Sequence, residues 1–384
     1  MGNFNPRSVK IGILGGGQLG KMLAQDAARL DLDISFLDKD LSYPVAKVCP
    51  QFIQGDFNNY EDVLNFGRKL DVISIEIEHV NIEALKKLEL EGKSVYPQAH
   101  ILEFIQDKGL QKQFYTKHHF PTAPFILFEN TTQIRKSVAE NTIKLPFVQK
   151  LCKGGYDGKG VQVINTLQDL TKLLEGPSLI ESKAKIAKEV AVIAVRNIDG
   201  DCKAYSPVSM DFHSEANLVE DVVCPAEIPM AAQKLAIDLA IDIANKLEIV
   251  GLLAVEMFYN EDGSIWINEI APRPHNSGHI TLNNGAISQF ENHLRAILGH
   301  PLGQTLFVIP SLMMNLLGEP GYSGHAIYSG FDEIMDIEGV HVYLYGKEQT
   351  KPFRKMGHIN ITGLDLKSCK EKAIQIRSTI KIIS

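Results

Sequence analysis

Residues 13–22 read ILGGGQLGKM, and the spacing Gly15-x-Gly17-x-x-Gly20 constrains how the first hundred residues fold. The run VKIGIL ahead of it is short and rich in β-branched side chains. After it, Leu19, Met22, Leu23, Ala27 and Leu30 recur at helical spacing. A strand that passes through glycines straight into a helix opens a parallel α/β unit, because only glycine lets the backbone turn so tightly. DISFLD then predicts a second strand ending at Asp38, about 20 residues past the glycines, where a ribose-binding carboxylate would stand. Two uses of the turn remain open at this level. Its amides at Gln18 to Gly20 could face a dinucleotide pyrophosphate, or the glycines could serve close packing alone.

The alternation continues through QFIQ (51–54), a helical stretch at 60–69, DVISIEIE (71–78) and a helical stretch at 82–91. This pattern predicts a mostly parallel sheet covered by helices. Near residue 100 the texture changes. DKGLQKQFYTKHHFPTAPF offers a charged helix followed by Pro121 and Pro124, and a long helical pattern follows at 231–247. A further helix is predicted at 286–298, ending near Gly299. HAIYSG, VHVYLYG and GHINITG then read as short strands before a final helix and IKIIS. A chain of 384 residues exceeds one ordinary core. Three domains are predicted, at 1–106, 107–300 and 301–384.

No apolar run is long enough to span a bilayer, and MGNFNPRSVK lacks both a signal-peptide core and, because of Pro6, a myristoylation pattern. The expectation is a cytoplasmic protein with no membrane partner. Cys49, Cys152, Cys202, Cys224 and Cys369 are odd in number and form no C-x-x-C pair, so reduced thiols are expected. A net charge of -7 argues against general nucleic-acid binding and leaves room for a local phosphate pocket.

Four stretches carry chemistry. In KLCKGGYDGKG (150–160), Gly154, Gly155, Gly158 and Gly160 surround Asp157, with Lys150, Lys153 and Lys159 close by. Backbone amides freed by consecutive glycines can converge on phosphate oxygens, and the lysines add charge. No Lys-Ser or Lys-Thr follows, so this is a covering flap or a polar hairpin tip, not a Walker A loop. In LLAVEMFYNEDGSIWINEIAPRP, Asp262-Gly263 is a two-residue hairpin signal. If Glu261 pairs with Ser264, Glu256 falls opposite Glu269, with Cβ atoms about 4.5–5.5 Å apart. Two carboxylates held so close in apolar sequence call for a cation, and Mg2+ completed by substrate phosphates suits them.

APRPHNSGHITLNNG gathers Arg273, His275, Asn276, Ser277 and His279. Its prolines and glycine predict a flat polar loop suited to an oxyanion, not the helix a zinc pair would need. Finally, GKEQTKPFRKMGHIN places Lys347, Lys351, Arg354, Lys355 and His358 together in an acidic chain, which suits a phosphate monoester.

A phosphate flap, opposed carboxylates and the lack of a Walker A loop resemble the ATP-grasp superfamily. Within it, GGGQLGKM, FPTAPF, KGGYDGKG, NEIAPRPHNSGH, SQFENHLRAILGHPLG and RKMGHINITG resemble the N5-carboxyaminoimidazole ribonucleotide synthases of purine biosynthesis, from residue 10 to about 370. The resemblance implies an α/β (α+β) ATP-grasp fold. It has a Rossmann-like pre-ATP-grasp domain in front, a phosphate flap at 152–160 and a small β-rich C-terminal domain. It also implies a homodimer that joins ATP, bicarbonate and 5-aminoimidazole ribonucleotide with Mg2+, using neither NAD nor biotin.

Residue roles follow by position. Lys108, Lys150, Lys153 and the loop Gly154, Gly155, Tyr156, Asp157, Gly158 and Lys159 resemble the ATP-phosphate site. Glu181, Ser182, Lys183 and Ala184 resemble the adenine hinge, Glu189 the ribose acceptor, and His213 a further nucleotide contact. Glu256 and Glu269 resemble the metal ligands, with Asn268 beside them. Arg273 resembles the residue that holds bicarbonate and carboxyphosphate, and Asp157 and His275 are candidates for the amine base. Gly17, Gln18, Leu19, Glu76 or Glu78, Tyr156, His275, Asn276, Lys347, Arg354 and Lys355 resemble the ribonucleotide pocket. Two positions depart from pattern: Ala271 replaces the asparagine of an E-x-N motif, and Lys108 stands where arginine is frequent. The rivals are a formate-using glycinamide ribonucleotide transformylase, a biotin carboxylase, a dehydrogenase using Gly15 to Gly20 with Asp38, and a silent nucleotide-binding regulator.

Overall fold

In a computed structural model describing residues 5–154, 160–213 and 218–384, the glycine turn sits at the centre of a parallel sheet. The sheet runs in the order Phe52–Gln54, Asp33–Asp38, Lys10–Leu14, Val72–Ile75, Ser94–Val95. Its central strand is apolar on both faces, as a doubly covered strand must be. Ile11 and Ile13 pack with Leu19, Met22, Leu23 and Ala27 of the helix Gln18–Arg29, while Leu14 and Ile73 pack with Val63, Leu85 and Leu88 on the other side. The helices Tyr60–Gly67 and Ile82–Leu90 begin where Asn59 and Asn81 accept backbone N–H bonds, so their caps are set locally. The strand expected at 71–78 stops at Ile75, and the acidic residues after it leave the sheet.

Two antiparallel sheets make up most of the rest. A four-stranded sheet, ordered Phe125–Phe128, Ser178–Ser182, Phe147–Leu151, Val161–Ile164, is backed by the helix Thr131–Ala139 through Ile134 and Val138. A larger sheet runs Ile265–Ala271, Gly251–Asn260, Ile186–Arg196, Val208–Phe212, Val219–Cys224, Ser311–Leu317, Lys355–Thr362, Val340–Leu344, with Cys202–Ala204 paired alongside Ile186–Arg196. The helix Met230–Leu247 lays Ala236, Ala240 and Ile243 on Val190, Val192 and Val255 of that sheet. Strands beyond residue 310 thus continue a sheet begun before residue 270. The long helix Leu366–Thr379 covers them through Cys369, Ala373 and Ile376.

The helix expected at 286–298 is Gln289–Ile297, because the Ser288 hydroxyl accepts from Glu291 N and sets the start. This helix ties the larger sheet to the parallel one. Phe290, Leu294 and Ile297 enter the core around Ile11 and Ile34, and the ring of His293 meets the Ser74 hydroxyl at 2.8 Å. Ser288 donates to Asp26, and the buried Glu291 carboxylate receives both Arg29 and Arg295. Glu291→Gln keeps the shape but weakens both guanidinium contacts. It should lower unfolding free energy by about 1–3 kcal/mol with an unchanged denaturant slope, measured by urea denaturation.

Candidate active site

The hairpin that carries the two glutamates differs from the expected one in two places. Asn260 N donates to Ser264 O at 2.8 Å across Glu261, Asp262 and Gly263, so the turn holds three residues instead of two. Gly263 takes φ of +82°, the left-handed position such a turn requires. Tyr259 therefore pairs with Ile265, Phe258 with Trp266 and Met257 with Ile267. Continued regularly, this register would set Asn268 opposite Glu256 and turn Glu269 toward the helix-covered face. Instead the ladder shifts between Glu256 and Met257, and Glu256 pairs with Glu269. Asn268 is the extra residue of a β-bulge, which lets it and Glu269 point to one face. The expected pairing of the glutamates holds because the turn and the bulge offset each other.

Cations come to this face from elsewhere. Lys108, first residue of the helix Lys108–Lys117, forms an ion pair with Glu269. Lys150 reaches over from the four-stranded sheet and donates to Asn268 Oδ1 at 2.8 Å, while its ammonium also lies 2.8 Å from Glu181 Oε2. Burial works against ionising Glu269, but Lys108, Lys150 and His275 together hold the carboxyl below its usual range. For Glu256, burial and then the charges of Glu269 and Glu189 push the pKa up to about 8. Burial likewise raises Glu189 to about 7. This donor set is short of positive charge. Among the described residues no group of three or more His, Cys, Asp or Glu could hold a metal alone. Two opposed carboxylates fit magnesium, a hard cation that takes one or two carboxylates and completes its shell with phosphate oxygens and water.

Apolar walls flank the charges. Directly opposed residues share a sheet face, which places Phe125 and Val148 beside Glu181, and Leu179 and Val161 beside Lys150. On the facing sheet, Glu189 pairs with Phe258 and Phe258 with Trp266. The two walls set apolar and aromatic side chains beside the charged groups. Neither wall was legible in the sequence as a site, since each strand reads as ordinary alternation. Lys112 was also missed. Its only sequence signal is its place one helical turn after Lys108.

The opening glycine turn is closed from within. Glu76, 8% exposed, accepts from Gly17 N at 2.8 Å and Gly20 N at 3.1 Å, and Asp38 accepts from Gly16 N at 2.6 Å. A Cβ on Gly15 would stand 2.6 Å from Glu76 Cγ. A dinucleotide pyrophosphate would have to displace that carboxylate to reach these amides. Gln18 and Leu19 open the helix immediately beyond.

Near this turn Arg273 Nε lies 3.1 Å from Glu78 Oε1 in an ion pair, and His275 Nε2 lies 3.3 Å from Glu256 Oε1. His275 caps a 3-10 helix, Asn276–Leu282, where a flat loop was expected. Burial, with Arg273 and Lys355 nearby, lowers His275 to about 3, and its Nδ1 takes Ser277 N and the Ser277 hydroxyl. Asn276 keeps a buried Nδ2 with no partner.

The basic run after residue 346 splits. Lys347 Nζ donates to Lys355 O at 2.7 Å, and burial with Arg354 and Lys355 lowers it to about 8. Arg354 Nη1 donates to Gln349 O, and Lys355 lies close enough to influence His275. His358, by contrast, is fully buried and stacks between Tyr343 and His279 with ring centroids 4.6 and 4.5 Å away. It belongs to the interior, not to a surface cluster, and Lys351 is exposed.

Other expected residues are more scattered. Lys153 is exposed with Nζ 3.7 Å from Asp107, and Gly154 takes φ of +78°. Gly155, Tyr156, Asp157, Gly158 and Lys159 lie outside the described residues. Ser182 N donates to Pro124 O, Lys183 reaches Asn165, and Ala184 follows the strand end. The Glu181 side chain turns inward to Lys112 and Lys150. His213 packs edge-on to Phe353 at 5.3 Å.

Comparison with known proteins extends the picture. Residues 8–106 match the ribonucleotide synthetase preATP-grasp domain, 113–290 the ATP-grasp domain, and 311–372 the phosphoribosylaminoimidazole carboxylase C-terminal domain. The N5-carboxyaminoimidazole ribonucleotide synthase of Bacillus subtilis is 36% identical over 361 residues, 91% of this chain and 90% of the relative. The phosphoribosylaminoimidazole carboxylase of Candida glabrata is 37% identical, and the chain spans 65% of its length. The solved N5-carboxyaminoimidazole ribonucleotide synthetase of Thermotoga maritima superposes with a TM-score of 0.90 at 37% identity, covering 98% of this chain and 99% of that one. An Aspergillus clavatus synthase solved with ADP and 5-aminoimidazole ribonucleotide gives 0.89 at 30% identity, with coverage of 98% and 99%.

Gly15→Ala tests the inner closure of the turn. The left-handed φ of +104° and the approach to Glu76 should together cost about 1–3 kcal/mol or more, read as a lowered midpoint in thermal unfolding.

Proposed function

The chain belongs to the N5-carboxyaminoimidazole ribonucleotide synthase family, and on that premise we propose that it carboxylates the 5-amino group of 5-aminoimidazole ribonucleotide with bicarbonate, using ATP. The observation that carries this reading is the opposed pair Glu256 and Glu269, met by Lys108 and Lys150 and adjoining Arg273. Magnesium, held by Glu256 and Glu269, would neutralise the phosphate charge that develops during transfer. Lys108 and Lys150 hold ATP phosphates, with Lys153 and the 154–160 loop over them. Glu181 to Ala184 lend backbone groups to the purine edge, Glu189 accepts a ribose hydroxyl, and His213 and Asn268 complete the nucleotide contacts.

A bicarbonate oxygen attacks the γ-phosphorus and ADP leaves, giving carboxyphosphate. Arg273 exchanges Glu78 for this anion. The exocyclic amine attacks the carboxyl carbon, directly or as released CO2, and phosphate departs. Both ring nitrogens of His275 are engaged, by Ser277 and by Glu256, so its task here is orientation. The amine proton then falls to Asp157. Gly17, Gln18, Leu19, Glu76, Asn276, Lys347, Arg354 and Lys355, with Tyr156, surround the ribonucleotide and its phosphate. The three domains, at 1–106, 107–300 and 301–384, each supply one part of this constellation. Neither nicotinamide nor biotin is needed. A cytoplasmic homodimer is part of the same reading and rests on the family resemblance; separately, among the described residues no helix is long and apolar enough to cross a membrane.

Three outcomes test the reading. Phosphate release from MgATP and bicarbonate should depend on 5-aminoimidazole ribonucleotide, with one phosphate per carboxylated product; release indifferent to the ribonucleotide would overturn the substrate. Glu269→Gln should lower kcat by about 10³-fold with the circular dichroism spectrum unchanged, and retained turnover at saturating magnesium would remove it from the metal site. Lys347 is charged below its pKa of about 8 and loses that charge above it. KM for the ribonucleotide should therefore climb as pH rises past about 8, and Lys347→Gln should erase that limb of the pH profile.

A further inference from the structure

Lys112 lies in the interior with its side chain 3% exposed, and no step above uses it. Its ammonium contacts Glu181 Oε1 and donates to the Thr122 hydroxyl. Thr122 Oγ1 in turn donates to Ile267 O at 2.9 Å, and Ile267 N bonds Pro121 O at 2.8 Å. Ile267 immediately precedes the bulged Asn268, so the chain from Lys112 ends beside the residue that anchors Lys150.

The charge balance gives this contact its meaning. Glu181 is a carboxylate with a side chain 5% exposed, on the sheet that also carries Lys150. Burial alone would raise its pKa, yet Lys150 and Lys112 keep it below the usual range. With Lys150 as sole partner the two charges would cancel. Moving Lys150 toward a phosphate would then strand a buried anion, a strongly unfavourable event. With Lys112 also present, the three groups carry a net positive charge, and Glu181 stays paired while Lys150 turns to a ligand.

We propose that Lys112 is a positioning residue, the resident counter-ion of Glu181 that leaves the charge of Lys150 free for nucleotide phosphates. This inference rests on the nucleotide site proposed above.

The test is MgADP binding to the full chain by calorimetry, which needs no turnover. Lys112→Met should weaken MgADP at least about tenfold, and the double variant Lys112→Met/Glu181→Gln, which buries no lone carboxylate, should recover most of that loss. In steady state, KM for MgATP should rise in Lys112→Met while KM for the ribonucleotide stays within about twofold, a split that loosened packing would not produce. Equal MgADP affinity in parent and Lys112→Met, or a double variant no better than the single, overturns the inference and leaves the nucleotide site standing. Failure of the parent to bind MgADP overturns both. If Lys112→Met does not fold, the double variant decides: affinity near the parent's supports the counter-ion role, and a tenfold loss refutes it.

Discussion

Burying several carboxylates in one cleft is possible only if cations are brought to them, and in this chain the cations come from a different sheet and a different helix. Lys150 bridges Glu181 on its own sheet and Asn268 on the facing one. Lys108 and Lys112, one turn apart on the helix Lys108–Lys117, close onto Glu269 and Glu181. The Lys150 contacts tie the two antiparallel sheets to each other. Glu256 and Glu189 keep an unmet demand for positive charge, which a divalent ion arriving with phosphates would satisfy.

The same logic governs the parallel sheet. The helix after the glycine turn presents amides that would attract an anion, and the protein supplies its own in Glu76. That carboxylate fills the turn so closely that side chains are excluded at Gly15 and Gly17. The turn keeps the form of a dinucleotide site with its anion position taken from inside. Lys21 and Lys47 donate to Leu344 O and Gly346 O, bringing the C-terminal basic residues to the turn. Lys347 consequently feels the charge of Glu76.

Local patterns in the chain announced much of this. The β-branched run before Gly15 and the helical spacing after it determined a parallel α/β unit, because period and turn chemistry are local properties. The long helix near 231–247 and the glutamate-bearing hairpin followed from the same kind of signal. The path of the hairpin did not, since a three-residue turn and a bulge at Asn268 reach the same pairing as a two-residue turn without one. Register beyond a turn depends on packing against the helix Met230–Leu247, which puts Ile265, Ile267 and Ile270 inward. His358 read as one of a basic cluster, yet it stacks in the interior, because the strand Lys355–Thr362 that carries it is covered on both faces.

By itself, then, the sequence determined which elements form, which residue types could take phosphates, and the family that carries such motifs. Only the tertiary structure decided which polar groups meet: Lys112 and Lys150 with Glu181, Lys150 also with Asn268, Arg273 with Glu78, Glu76 with the glycine amides. The physical reason is range. Propensity and periodicity act over one or two turns of chain. These contacts join groups tens to more than a hundred residues apart, and each partner is set by how sheets and helices pack.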